Sequence, residues 1–360
     1  MNTKTLTYIV RRFFFYLLAG FMAISLNFFI PRLMPGDPAS IMFAQFRGKM
    51  KIEQLQALKQ TFGFPEAEPF VDLNGNLKWD SNEQFTDWNN NQKYDSKPSS
   101  LENYVSYIKS LFRGDLGISI SHFPQKVTEV ISTGLYWTLF LAGISLIISF
   151  ILGTVIGIYL AWYRDQKLDS ILLPSLSFLG AFPYFWIAMF LLYYFGFKLD
   201  VFPIRHAYDQ ALMPSFSFKF ITSVLYHSIL PAFTMIFVSL GGWMLSMRNN
   251  MISTLGSEYI NYAKAIGYNK KILMFNYAAR NALLPNITGF GMALGFILSG
   301  ALMTEMIFSY PGQGYLLLQA VRAQDFPLLQ GIFLTITFSV LVSNFIVDII
   351  ILILDPRVRK

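Results

Sequence analysis

The chain has 360 residues, of which 54% are hydrophobic and 14% are charged, and it contains no cysteine. An ordinary soluble domain carries about 25% charged residues, so this composition indicates an integral membrane protein and excludes disulfide frameworks and thiolate metal sites. The net charge is +7. Because many of the basic residues flank apolar segments, membrane topology explains them and no nucleic-acid partner is predicted.

Six apolar segments are long enough to cross a bilayer as helices, which requires roughly 20 residues each. They lie at about 13–34, 134–162, 171–197, 226–247, 286–308 and 330–354. We therefore predict an all-α polytopic membrane protein with six transmembrane helices. Gly153-x-x-x-Gly157 and Gly291-x-x-x-Gly295 are expected to let helices approach closely, and Pro174 and Pro183 are expected to kink the third span.

Lysine and arginine residues concentrate before the first span, in the connections after the second and fourth spans, and in the C-terminal tail. This asymmetry predicts that both termini lie in the cytoplasm and that the long region 35–133 lies outside. The first apolar run follows Arg11 and Arg12, but it is too long for a signal peptide and no small-residue cleavage site follows it. We expect an uncleaved first span.

Two helices are predicted in the outer region 35–133. The first covers the stretch KIEQLQALKQTFGF at 51–64 and ends at Gly63. The second begins near Ser99, where Ser99 and Glu102 form a capping box, and stops at Gly114.

A polar repeat with a period of 15 residues separates these two helices. FVDLNGNLKWDSNEQ at 70–84 is followed directly by FTDWNNNQKYDSKPS at 85–99. Oxygen-bearing side chains at alternating positions of a tight loop are typical calcium ligands. In an EF-hand-like register the candidate ligands are Asp72, Asn74, Asn76, Asp80 and Glu83 in the first copy, and Asp87, Asn89, Asn91 and Asp95 in the second.

The calcium interpretation has a simpler competitor. Aspartate and asparagine are also the natural residues of solvated loops built from Asx turns. The repeat departs from the EF-hand pattern at position 6, which is Leu77 or Gln92 instead of glycine, and at position 12 of the second copy, which is Pro98. Trp79 and Tyr94, at equivalent positions, are expected to pack together or on the outer face.

The connection between the fourth and fifth spans, residues 248–285, carries a short amphipathic helix. Ser257 is a suitable N-cap and Gly267 a suitable residue just past the C-terminus. Between them one apolar face is predicted from Tyr259, Tyr262, Ala263 and Ile266, with Glu258, Asn261 and Lys264 lying off it. Such a helix either lies on the membrane surface or docks a soluble partner.

Two polar residues, Asn344 and Asp348, fall within the sixth span. An intramembrane acid marks either a bond to a neighbouring helix or subunit, or a role in coupling or in the transport path. Glu305 lies near the outer end of the fifth span, where solvation or a contact with a loop is expected.

The segment SEYINYAKAIGYNKKILMFNYAARNALLP resembles the cytoplasmic "EAA" loop of ABC-transporter permeases. The alanine and glycine of that pattern fall on Ala263 and Gly267, and its closing Leu-Pro falls on Leu284 and Pro285. Asn261 stands where the general pattern has an acid. RLMPGDPA at 32–39, RGDLGIS at 113–119, the stretch 308–331 and DPRVR at 355–359 also resemble the branch that imports dipeptides, oligopeptides and nickel.

The resemblance implies the first permease subunit of such an importer, with a type I fold of six transmembrane helices. It implies an N-terminal helix at 1–34, an extracytoplasmic region at 35–133 with a two-copy insertion at 66–98, and a core permease domain at 134–360. The helix at 258–266 is implied to dock on an ATPase subunit, with Glu258, Tyr259, Asn261, Tyr262, Ala263, Lys264, Gly267, Leu284 and Pro285 as coupling residues.

The implied partners are a homologous second permease, two ATPase subunits or domains that bind ATP and magnesium, an extracytoplasmic solute-binding protein and the lipid bilayer. The implied location is the bacterial inner membrane. This chain has no G-x-x-x-x-G-K-[ST] phosphate loop, so it is expected to be non-catalytic. Its only expected cofactor is calcium in the insertion.

Two readings from other functional classes remain open at the level of sequence. A secondary transporter or channel that works alone would be active without an ATPase. A calcium-dependent membrane sensor or adhesion protein would depend on residues 66–98 and not on the cytoplasmic helix.

Overall fold

The computed structural model describes residues 3–33, 67–87, 92–297 and 301–354. The predicted helix at 51–64 lies outside these ranges, as do Asn89, Asn91 and the stretch 355–359. The described part of the chain consists of helices joined by turns and loops, with two isolated β-bridges and no strand among the described residues. The prediction of an all-α membrane protein is confirmed.

The described helices follow one another as α1 (Thr3–Leu33), α2 (Ser100–Phe112), α3 (Val127–Trp162), α4 (Lys167–Gly180), α5 (Tyr184–Leu191), a π-helical stretch (Leu192–Lys198), α6 (Phe218–Leu255), α7 (Glu258–Ala265), α8 (Lys270–Ile272), a second π-helical stretch (Leu273–Ala279), α9 (Arg280–Gly295), α10 (Leu302–Ile307), α11 (Gln313–Arg322) and α12 (Phe326–Leu354).

Four continuous stretches of the described residues are long and apolar enough to cross a membrane. They are Thr7–Phe29, Val127–Trp162, Phe218–Leu255 and Phe326–Ile349. The other two segments predicted to span, 171–197 and 286–308, are built from shorter helices. Pro174 lies inside α4 without ending it, whereas Pro183 stands at the N-cap of α5, where its missing N–H costs no helical hydrogen bond.

Contact between Cα positions divides the chain into two compact units. The first comprises residues 1–21, 133–316 and 336–360, and the second comprises 22–132 and 317–335.

In the second unit, the predicted helix after Ser99 is confirmed. The Ser99 side chain accepts a hydrogen bond from the Glu102 N–H, and the Glu102 carboxylate accepts one from the Ser99 N–H. Tyr104 and Tyr107 pack their rings against Phe28 at centroid distances of 5.2 and 5.3 Å. This aromatic cluster holds α2 on the outer part of α1.

In the first unit, α3 packs against α6 with almost no space between the two backbones. A Cβ atom on Gly157 would lie 2.5 Å from the carbonyl oxygen of Met244, and one on Gly153 would lie 2.5 Å from the Cβ of Trp243. Such distances are far inside van der Waals contact. Glycine at these two positions therefore permits the approach of the two helices.

We expect that Gly157→Ala destabilises the protein, because the added methyl group would push α3 away from the α6 backbone. Overpacking of this kind costs about 1–3 kcal/mol. The midpoint of thermal unfolding of the purified protein in detergent should fall. Gly143→Ala on the same helix is the control, since a Cβ there has nothing within 4 Å. Equal midpoints for the two variants would contradict this interpretation of the packing.

Candidate functional site

Helix α7 lies in the connection between α6 and α9, where the sequence predicts a docking helix. Ser257 occupies the N-cap position, although its hydroxyl donates to the Thr254 carbonyl and makes no capping bond within α7. Gly267 follows the helix with φ of +90°, a left-handed conformation that glycine adopts without strain. The structure thus forms the predicted helix between the predicted ends.

The predicted apolar face of α7 is wrong at three of its four residues. Ile260 and Ala263 are the buried residues, at 0% and 2% exposure, whereas Tyr259, Tyr262 and Ile266 face outward. Of the predicted face only Ala263 is buried, and Ile260, which the periodicity did not include, takes the central buried position. Tyr259, Tyr262 and Ile266 are therefore accessible at the surface.

Ile260 seats α7 in a hydrophobic cluster that we call the inner cluster. Its buried members come from α3, α6, α7, the second π-helical stretch and α9, and they are Ile158, Ala161, Met247, Met251, Ile260, Met274, Ala278, Ala279 and Ala282. Two spanning helices are thereby joined to α7 by direct packing. A displacement of α7 would be transmitted to both of them because cores are close-packed.

The remaining predicted coupling residues lie at the surface. Glu258, Asn261 and Lys264 are exposed, as predicted, and Leu284 and Pro285 are exposed on α9. The Asn281 amide donates to the Tyr259 hydroxyl at 2.9 Å and so fixes the direction of that ring.

A buried polar triad lies one residue beyond Pro285 and was missed by sequence reasoning. The Ser246 hydroxyl donates to Asn286 Oδ1 at 2.6 Å, and Asn286 Nδ2 donates to Thr154 Oγ1 at 3.3 Å. These bonds tie α6, α9 and α3 together within the membrane. The asparagine within the apolar fifth segment was the signal available in the sequence.

A second missed feature is a bidentate ion pair between α4 and α6. Arg248 donates from Nε to Asp169 Oδ1 at 2.7 Å and from a terminal nitrogen to Oδ2 at 2.6 Å. The two side chains are 14% and 7% exposed. The bond from Arg248 holds the pKa of Asp169 below its ordinary value, despite the opposing effect of burial. The sequence showed both charges but not that they meet.

We expect that Asp169→Asn costs about 3–5 kcal/mol, since it leaves the Arg248 charge buried without its partner. Because the pKa of Asp169 is lowered by folding, the pair stabilises the wild type at neutral pH and this stabilisation is lost as the pH falls through the lowered pKa. Thermal unfolding measured across the acidic range should show this loss in the wild type and not in the variant.

Asp165→Asn is the matched control, because Asp165 is an exposed neighbour on the same connection. An unfolding midpoint for Asp169→Asn that equals the control midpoint would contradict the assigned role of the pair.

Asp348 of the sixth predicted span has partners on α1. The Tyr16 hydroxyl donates to Asp348 Oδ2 at 2.7 Å, and Arg12 lies 3.4 Å from the same oxygen. Asn344 lies one turn earlier, facing α9, where a Cβ on Gly295 would be 3.4 Å from Asn344 Oδ1. These contacts favour a helix-to-helix bond for Asp348.

Glu305 is fully buried, so it is not solvated, and its contact is with the first turn of α11. Its Oε2 accepts the N–H of Gly314 at 2.6 Å. The same turn of α11 is bonded to α3, because the Gln313 N–H donates to the Thr138 hydroxyl at 2.8 Å.

An open cleft adjoins the break between α4 and α5. It has a volume of about 620 Å³, and its walls include the break residues 181–183 together with Tyr184, Ser239, Trp243 and Ser246. A smaller hollow of about 170 Å³ continues from it, sharing Tyr184 and Ser239 and reaching α3 and α9. No charged side chain of the described residues lines either space.

The described residues of the two copies of the outer repeat pack against each other. Phe70 and Phe85 face each other in an antiparallel β-bridge, and Trp79 stacks on Tyr94 at 4.8 Å, as expected. Position 6 of each copy, Leu77 and Gln92, has φ of +59°, the left-handed conformation for which an EF-hand uses glycine. Among the described residues the two copies therefore share this left-handed turn at position 6 as well as a sequence.

The first loop closes on its own polar groups. Asp72 accepts the N–H groups of Gly75 and Leu77, and the Leu77 bond, the larger effect, lowers the pKa of Asp72. The side-chain amides of Asn74 and Asn76 both donate to Asp80 Oδ2, at 2.6 and 3.0 Å. Among the described residues no three His, Cys, Asp or Glu side chains lie close enough to form a metal cluster.

Glu83 and Glu68 have equivalent positions in the two loops. Glu83 accepts the N–H of Asp80 at 3.0 Å, and Glu68, fifteen residues earlier, accepts the N–H of Asp95 at 3.0 Å. Position 12 of the second copy is Pro98, which has no carboxylate. The carboxylate that accepts the Asp95 N–H comes instead from Glu68, which precedes the first copy. Sequence reasoning missed Glu68 because it counted forward from Asp87.

The family described as "Binding-protein-dependent transport system inner membrane component" matches residues 153–360. The chain is 32% identical over 272 residues to the probable D,D-dipeptide transport system permease protein DdpB of Escherichia coli K12, covering 71% of this chain and 79% of that protein. It is 32% identical over 260 residues to the oligopeptide transport system permease protein AppB of Bacillus subtilis 168, covering 71% and 80%.

A third relative matches almost from end to end. The dipeptide transport system permease protein DppB of Lactococcus lactis MG1363 is 29% identical over 357 residues, covering 98% of this chain and 99% of that protein. The two chains therefore have nearly the same length, including the outer region.

Proposed function

Because the chain belongs to the family of binding-protein-dependent transport system inner membrane components, we propose that it passes short peptides through the membrane as the first permease of a heterodimeric pair. It is an ABC-importer permease subunit and a multi-pass inner-membrane protein. Importers of this kind combine permeases with ATPases and a solute-binding protein. Peptides are proposed because the three relatives are named for dipeptide or oligopeptide transport.

The observation that carries this proposal is the packing of α7 against the spanning helices. The helix is joined to α3 and α6 through the inner cluster, while its tyrosines remain exposed. An ATPase pair that closes on ATP would pull α7 toward its counterpart in the second permease. The spans would then switch from inward-facing to outward-facing, driven by the different contacts of α7 in the two states.

The proposed topology has six spans with both termini in the cytoplasm. The segments 171–197 and 286–308 each cross as a broken helix. Broken helices are tolerated at membrane depth where they are buried in protein or line a water-filled cavity. The cleft beside residues 181–183 supports that reading for the third span. ATP hydrolysis is assigned to the partner subunits and none to this chain.

The same cleft is proposed as part of the solute path. Tyr184, Ser239 and Ser246 offer hydroxyl groups, and Trp243 offers an aromatic face. Hydroxyls can bond the amide groups of any peptide, whatever its side chains. The walls would therefore tolerate many sequences, and selection would fall to the solute-binding protein.

We expect dipeptide uptake into proteoliposomes that contain both permeases and the ATPases, with the solute-binding protein added outside and ATP supplied inside. Ser239→Trp should lower this uptake about tenfold or more, because an indole would occupy the space shared by the two hollows. The control is Thr222→Trp, an exposed position on the same helix.

Each outcome of this assay separates competing readings. Uptake by this chain without ATPases would support a secondary transporter or channel and contradict the proposal. If the wild type transports the dipeptide and Ser239→Trp has the same uptake rate, the cleft is not part of the solute path. A transporter whose uptake is abolished by deletion of 66–98 but not by disruption of 258–267 would favour a calcium-dependent sensor or adhesion protein.

We also propose that the duplicated outer loop binds calcium weakly, with a dissociation constant of roughly 0.1–1 mM. The support is the shared register, the left-handed turn at position 6 and the gathering of Asn74, Asn76 and Asp80 side chains within hydrogen-bond distance. Rotating the two amides would turn their oxygens toward the same point. A cation between them and Asp80 would then replace the present amide bonds.

Terbium bound to the whole protein in detergent should luminesce when Trp79 is excited, and calcium should displace it at millimolar concentration. Asp72→Asn should weaken the signal, because it removes the charge that the loop holds in place. Asp115→Asn, an exposed position outside the repeat, is the control. Absence of a calcium-sensitive terbium signal at about 10 mM calcium, well above the expected dissociation constant, would contradict the proposal.

A further inference from the structure

The segment around α7 is unusually exposed for a stretch with so many large side chains. Of residues 258–272, only Ile260 and Ala263 are buried. Tyr262 is 70% exposed and Ile266 is 57% exposed, with Tyr259 at 41% and Tyr268 at 43%. We call these four residues the tyrosine face.

The tyrosine face has the spacing of a helix that inserts into a groove. Tyr259, Tyr262 and Ile266 stand at i, i+3 and i+7, which is the anchor pattern of helix-in-groove recognition. Exposed apolar patches mark interaction sites, and tyrosine is among the residues that carry most binding energy at interfaces. Tyr259 is tied to Asn281, whereas Tyr262 makes no side-chain hydrogen bond to any described residue.

The segment that contains α7 is predominantly basic. Residues 257–280 contain one acid, Glu258, and four basic residues, Lys264, Lys270, Lys271 and Arg280. Within the part of the chain that the structure describes, none of these four forms an ion pair. Asn261 is neutral at the place where the resembling family pattern has an acid, so α7 has no central anion to offer a partner.

We infer that Tyr262 is the central anchor of the partner contact and that the groove receiving it has an acidic rim facing Lys270 and Lys271. The partner is the ATPase subunit, so this inference rests on the proposed function and adds the chemistry of its docking site. The aromatic anchor supplies the affinity, and the basic residues orient the approach of an acidic surface. A groove lined by arginine would be repelled.

A lipid surface fits these observations less well. Helices that lie on membranes present a broad apolar face and often extend over 20–30 residues. Helix α7 has eight residues, and its buried residues are already packed in the inner cluster. The remaining exposed face is two tyrosines and one isoleucine over two turns.

The first test uses the complete importer with an affinity tag on this chain, purified in detergent. Tyr262→Ala should weaken retention of the ATPase subunits about tenfold or more, as expected for an interface hot spot. Tyr262→Phe should retain them, because the ring and not the hydroxyl is the anchor. The control is Tyr136→Ala, which truncates a tyrosine of 72% exposure near the start of α3.

The second test addresses the charge. Retention of the ATPases by the wild type should fall as KCl is raised from about 50 to 500 mM, since salt screens exposed charges. Lys270→Glu with Lys271→Glu should lose retention at low salt, while Lys219→Glu at the start of α6 should not. Membrane abundance and gel filtration of each variant exclude misfolding as the cause.

The outcomes distinguish this inference from the function on which it rests. Failure of the wild type to retain any ATPase would overturn the proposed function. Retention by the wild type with equal retention by Tyr262→Ala and by the double lysine variant would overturn only the inference. Variants that keep the ATPases but lose a preference for phosphatidylglycerol nanodiscs would show that the segment binds lipid, which also overturns it.

Discussion

The backbone contact between α3 and α6 is the constraint on which the first unit depends. Gly153 and Gly157 bring the two helices so close that no side chain fits between them. This approach places Ile158 and Met247 in one inner cluster, and that cluster supplies the seat for Ile260 of α7. Without the close contact, α7 would have no rigid base on the spans.

Polar bonds within the apolar bundle add specificity to this packing. Asn286 connects α9 to both α3 and α6, and Asp169 binds Arg248 in a bidentate pair at the side of α6. Buried polar groups are costly unless they are paired, so each such bond penalises arrangements in which its partner is absent. The helices that pack against α7 in the inner cluster are therefore held in a defined arrangement.

The outer repeat is held together by different interactions from those that hold the spans. It has few apolar side chains to bury, and its loops are ordered by side chains that accept backbone N–H groups, such as Asp72 and Glu83. One aromatic group, formed by Phe70, Trp79, Phe85 and Tyr94, joins the two copies. A duplicated loop with an aromatic centre is a compact unit that the transport cycle described above does not require.

The sequence by itself determined the membrane class, the apolar segments, the capped helix after Ser99 and the short helix between Ser257 and Gly267. Each depends on residues close together in the chain, through hydrophobic length, capping and the conformational freedom of glycine. Only the tertiary structure decided which side of α7 is buried, that Glu68 serves the second loop, and that Asp169 and Asp348 meet Arg248 and Tyr16. Those facts depend on neighbours that are distant in the chain, and periodicity carries no information about which helix faces which.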